Sequence, residues 1–182
     1  MLQKLRKYIY PRNIILDLIP TDAKILDLGC GQGDIFELLK NKKNVQYYKG
    51  IDPKLKFESI NKNFELLTLK IENVITDISK FNCILMIDVL HHIKKNDQKS
   101  LIEKIINQLS AGSIFIYKDI SNRNKFFSLM NKLHDLIYNR EFINYYETDL
   151  IIDFIKEEKN ISFNRFFHRI FWYDHEFLII QK

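Results

Sequence analysis

Apolar residues in this chain fall into short runs that alternate with longer amphipathic stretches. A basic, helix-patterned opening (about Leu2–Leu18) gives way to Pro20-Thr21-Asp22, which reads as a turn. Beyond it, apolar runs rich in β-branched residues predict strands at Lys24–Leu28, Val45–Ile51, Val74–Thr76, Cys83–Ile87, Ser113–Lys118, Ser162–Arg169 and Glu176–Ile180. Helices are predicted near Asp34–Leu39, Asp97–Leu109, Asn124–Tyr138 and Thr148–Glu158. Within the third, Phe126, Met130, Leu133 and Ile137 recur on one helical face, and Gly112 after Leu109 suits a stop before the next strand. Between Pro53 and Asn73 the pattern is ambiguous, and Phe64–Ile71 fits a strand or a helix. Strand–helix alternation of this kind builds βαβ units, so the expected fold is α/β, a doubly wound and mostly parallel sheet of seven strands. Trp172-Tyr173-Asp174-His175 reads as a tight connection, and tight connections join antiparallel strands, so the sheet should end in a hairpin.

The length of 182 residues fits one domain, 1–182, with residues 1–20 as a helical extension and 121–160 as a helical, lid-like insertion. No apolar run approaches the ~20 residues that span a bilayer. The basic N-terminus lacks the apolar core of a secretory signal, so a cytoplasmic protein is expected. Cys30 and Cys83 belong to no metal-ligand spacing, and no metal is expected. A net charge of +5 raises the question of a nucleic-acid partner. Its basic pairs, such as Lys42-Lys43 and Lys94-Lys95, are scattered and interleaved with acids, which reads as a solvated surface instead.

Of five glycines, three occupy alternate positions, Gly29, Gly31 and Gly33, directly after a predicted strand and before a helix. In that context glycine permits a tight turn and lets backbone approach a ligand. Asp27 stands two residues before Gly29, where a carboxylate repels a pyrophosphate but suits an ammonium or sulfonium group. Asp52 ends the second strand, where an acid can accept hydrogen bonds from ribose hydroxyls, and Asp77 follows the next predicted strand. Each acid alone reads equally as a turn or cap residue. Together they place three carboxylates at successive strand ends, where open α/β sheets bind ligands.

The segment Asp27-Leu-Gly-Cys-Gly-Gln-Gly33, with Gly50-Ile51-Asp52, Thr76-Asp77-Ile78, Asp88-Val89-Leu90-His91-His92-Ile93 and the terminal hairpin, resembles the class I S-adenosylmethionine-dependent methyltransferases. The resemblance spans nearly the whole chain. It implies S-adenosyl-L-methionine as cofactor, with Asp27 helping to hold the methionine amino group and Gly29, Gly31 and Gly33 beneath methionine and ribose. It further implies Asp52 on the ribose hydroxyls, Asp77 and Ile78 around the adenine, and the Asp88–His92 turn, with Asp88 on the cofactor side, beside the transferred methyl group.

Methyl transfer needs chiefly alignment of an acceptor lone pair, and a base when the acceptor is a hydroxyl. His91 or His92 could supply that base, since imidazole titrates near neutrality; either could equally pack or cap the following helix. No Asn/Asp-Pro-Pro-aromatic sequence follows strand four and Cys83 sits within a strand, so neither common base-methylating pattern is present. Lys118-Asp119 at the end of strand five reads as a surface ion pair or as acceptor-pocket lining, and His134-Asp135 as a solvated helix face. Phe126, Phe127, Phe142, Tyr145 and Tyr146 could roof an apolar acceptor pocket or serve as core. The expectation is methyl transfer to a small molecule (a sugar, lipid precursor or secondary metabolite), at oxygen. An RNA methyltransferase and a non-catalytic binding module are the alternatives.

Overall fold

The computed structural model describes residues 10–40, 45–121, 123, 148–158, 160–171 and 173–182. Helix α1 (Arg12–Leu18) starts after Pro11 and buries Ile15 and Leu16. Strand β1 (Ala23–Leu28) follows, then α2 (Asp34–Lys40) and β2 (Val45–Ile51). Strand β3 (Ser59–Asn61) turns back into β4 (Phe64–Leu67), and two 3-10 turns, Ile71–Asn73 and Ile75–Lys80, lead into β5 (Cys83–Ile87). A further 3-10 turn at Leu90–His92 precedes α3 (Lys95–Gln108) and β6 (Ile114–Ile120). After α4 (Thr148–Glu157), β7 (Ser162–Ile170) and β8 (Tyr173–Gln181) close the sheet.

The strands form one sheet in the order β3-β4-β2-β1-β5-β6-β8-β7. Strands β4, β2, β1, β5 and β6 are parallel; β8 runs antiparallel to β6, and β7 to β8. The expected hairpin is therefore present, turning at Phe171 rather than through Tyr173–His175, which belong to β8. Helices on both faces explain why the central strands read as unbroken apolar runs. Along β1 and β5, Ile25, Cys83 and Leu85 face α1 and α2, while Leu26, Ile84 and Met86 face α3 and α4. Helix α3 contributes Leu101, Ile102, Ile105 and Ile106, the i, i+3, i+4 stripe of a helix with one buried face.

Two expectations are corrected. The sheet has eight strands rather than seven, because the ambiguous region holds the short β3–β4 pair. Val74–Thr76 is not a strand: it joins the 3-10 turns, and Ile71, Val74 and Ile78 pack onto the core at spacings of three and four. The predicted helix Asn124–Tyr138, with Phe126, Phe127, His134, Asp135, Phe142, Tyr145 and Tyr146, lies outside the described residues, as does the start of the N-terminal extension.

Candidate active site

From β1 the chain crosses to β2 on one side and later returns as β5 on the other, so the space between the β1 and β5 ends is the switch point of the sheet. The glycine loop leaves β1 here and the Asp88–His92 turn leaves β5. The two touch: a side chain at Gly29 would lie 2.4 Å from Val89 Cγ2, and Gly29 has φ +78°. Gly31 differs. It too has a left-handed φ, +62°, yet among the described residues nothing lies within 4 Å of where its Cβ would be, so the loop presents open space above bare backbone. Gly33 begins the turn into α2 and its carbonyl accepts Glu37 N–H at 3.1 Å.

Asp52 follows β2 beside the loop. Its Oδ2 accepts Gly31 N–H at 3.0 Å and its Oδ1 accepts Lys54 N–H at 2.7 Å. The residue thus makes the local turn that an acid before Pro53 favours, and also anchors the loop. A carboxylate has about four acceptor positions, so each oxygen retains capacity for a further donor. Gln32, which the sequence did not single out, ties the loop to the same segment: its amide donates to Lys54 O at 3.0 Å and accepts Lys56 N–H at 3.2 Å.

Asp27 is 1% exposed, beneath the loop, and accepts the Tyr48 hydroxyl at 2.5 Å. Burial pushes its carboxyl up to about 7; the Tyr48 hydrogen bond opposes the rise and the charge of Asp52 adds to it. The carboxylates at three adjacent strand ends are therefore Asp27, Asp52 and Asp88, on β1, β2 and β5. Asp77 is not among them. It sits in the 3-10 turn that leads to the opposite, N-terminal end of β5. There it pairs with Lys80 at 2.7 Å, which holds its carboxyl below the ordinary range, and lines a cavity with Tyr47 and Phe81. Ile78 is fully buried in the core. The sheet edge next to Asp52 is formed instead by the end of β4, where Asp52 N–H donates to Leu67 O at 3.2 Å and Thr68 N–H to Glu58 at 2.7 Å.

The Asp88–His92 turn is tied to β6. Lys118 and Asp119 are not a surface pair: both are buried, and each binds a different residue of the turn. Lys118 Nζ lies 2.6 Å from both carboxylate oxygens of Asp88. Burial alone would raise the Asp88 carboxyl, but Lys118, with His91 and His175, brings it below its ordinary range. Asp119 Oδ1 lies 2.6 Å from His91 Nδ1 and also accepts Ile120 N–H at 2.8 Å. An ionised carboxylate only accepts, so Nδ1 carries the hydrogen and the lone pair of the neutral ring is on Nε2. His91 is 6% exposed, whereas His92 is exposed, its ring centred 4.1 Å from that of His91. Gln98 on α3, also not singled out by sequence, donates to Leu90 O at 2.8 Å and Ile93 O at 3.0 Å.

The methyltransferase domain family matches residues 2–153. The chain belongs to that family. S-adenosyl-L-methionine is the cofactor that goes with it, and the open space above Gly31 beside Asp52 fits such a ligand. A curated relative, the carboxy-S-adenosyl-L-methionine synthase of Campylobacter concisus, is 25% identical over 112 residues, 58% of this chain and 48% of its own. The match thus spans about half of that relative. Among solved structures, the plantazolicin methyltransferase BpumL superposes with TM-score 0.67 at 15% identity, over 95% of this chain and 81% of its own. The N-methyltransferase NodS of Bradyrhizobium japonicum, in complex with S-adenosyl-l-homocysteine, gives 0.63 at 14%, over 94% and 85%. These likenesses show the class I methyltransferase fold, with its antiparallel strands at the C-terminal edge. Among the described residues no cluster could hold a metal, and no helix is long and apolar enough to cross a membrane.

Proposed function

We propose that this chain methylates a small acceptor at a hydroxyl oxygen, with His91 as general base. When bound, S-adenosyl-L-methionine supplies a methyl group on a sulfonium, which is transferred by in-line attack. Asp52 would hold the ribose hydroxyls with its remaining acceptor capacity, the glycine loop would support the ribose and methionine, and Asp27 would favour the positive end of the ligand. Asp88 borders the methionine side of the same crevice. The end of β4, Leu67–Leu69, would hold the adenine, in place of Asp77 and Ile78. As the oxygen–methyl bond forms and the carbon–sulfur bond breaks, the acceptor's hydroxyl proton passes to His91 Nε2, while Asp119 holds Nδ1–H and balances the imidazolium charge.

The observation that carries this reading is the buried 2.6 Å contact between His91 and Asp119 at the end of β5 and β6. It favours His91, which is buried and held at Nδ1, over His92, whose ring is exposed. The test is methyl transfer from labelled cofactor to fractionated small molecules, lipids and RNA. Label should enter a small hydroxyl compound, and His91→Ala should lower turnover about 10²–10⁴-fold with nearly unchanged cofactor affinity. Label entering only RNA, or a His91→Ala enzyme with normal turnover, contradicts the proposal.

A further inference from the structure

Strand alternation sends the adjacent side chains of Lys118 and Asp119 to opposite faces of β6. Asp119 meets His91 on the face covered by α3. Lys118 meets Asp88 from the other face, where it is fully buried, with the Tyr10 ring 5.4 Å from its Nζ. Lys118 holds Asp88 by three contacts: its Nζ binds both carboxylate oxygens, and its carbonyl accepts Asp88 N–H at 2.8 Å. Asp88 has φ +56°, a left-handed backbone that non-glycine residues adopt at a cost and retain only where the surroundings impose it. An ion pair taken out of water stabilises no more than a well-packed apolar pair, and often less, so stability alone does not account for this part-buried one.

We propose that Lys118 is a positioning residue: by fixing Asp88 in its left-handed conformation it sets the direction in which the chain leaves β5 and so delivers His91 to Asp119. One dipeptide of β6 then grips the turn at both ends. Lys118 acts on the start through Asp88, and Asp119 acts three residues later on the imidazole. This rests on the reading of His91 as base and deepens it.

The histidine ring reports the grip without any acceptor. Nitrogen-15 NMR of the full chain distinguishes the Nδ1–H from the Nε2–H tautomer of His91, with thermal unfolding followed in parallel. Lys118→Met alone leaves the Asp88 carboxylate uncompensated and Asp88→Asn alone leaves the fully buried Lys118 ammonium uncompensated, so the decisive variant is the neutral Lys118→Met/Asp88→Asn, read against wild type and, where it folds, against Asp88→Asn. Asparagine tolerates the left-handed region and its amide oxygen still accepts from Lys118. Asp88→Asn should keep the single Nδ1–H signature. The double variant, neutral at both positions, should remain folded yet lose that signature, its His91 nitrogens moving to values averaged over both tautomers. Retention of the signature in the double variant, or equal loss in both, overturns the role of Lys118 while leaving Asp119 and the base in place. A wild-type His91 that is not Nδ1–H overturns the base reading itself.

Discussion

Asp52 and Asp27 are both carboxylates at strand ends, but their surroundings give them different work. Asp52 is partly exposed and shares its oxygens between Gly31 and Lys54, keeping capacity toward the open space over the loop. Hydrogen bonds to a charged group contribute about 1.5–3 kcal/mol each, so Asp52→Ala should weaken cofactor binding by roughly 2–4 kcal/mol, on the order of 30- to 1000-fold. Calorimetry with S-adenosyl-L-homocysteine measures this directly; an unchanged affinity in a folded variant removes Asp52 from the site. The loop, Asp52, Asp88 and the two histidines were legible because each is adjacent in sequence to a strand whose apolar run is plain. The pairing of His91 with Asp119 was not, since 28 residues separate them and only the β5–β6 register brings them together.

At the level of elements, two strands were readable to the residue: the wholly buried β5 and the partly exposed β2 fall where their apolar runs predict. The failures cluster between β2 and β5. Strand β3 is three residues long and has meaning only through its pairing with β4. In the crossover, Val74-Ile75-Thr76 taken alone resembles a strand, but Ile71, Val74 and Ile78 carry the spacing of a helical turn, and that signal extends beyond the short run. This placement separates two roles for Ile78. As a core residue it should destabilise the fold by about 2–5 kcal/mol when truncated to Ala, with cofactor affinity in the folded fraction unchanged. Chemical denaturation alongside calorimetry decides; a loss of affinity without a loss of stability returns Ile78 to the adenine site.

For the whole molecule, the buried Asp27 links stability to pH. Its folded-state pKa of about 7 lies above the ordinary 3.8, so the folded protein binds a proton that the unfolded chain has released. The resulting stabilisation is complete below about pH 4 and is lost as pH rises toward about 7. Asp27→Asn should flatten that part of the curve of stability against pH, and urea denaturation at pH 5 and pH 8 would show it; an unchanged slope contradicts a carboxyl titrating in that range. The sheet edge that carries β8 and β7, the family match and the open space over Gly31 at the switch point all converge on one ligand. Titration calorimetry of the full chain with S-adenosyl-L-homocysteine and, separately, with NAD therefore bears most directly on the central claim. One equivalent of S-adenosyl-L-homocysteine should bind, with no heat from NAD; binding of NAD with none of S-adenosyl-L-homocysteine would contradict it.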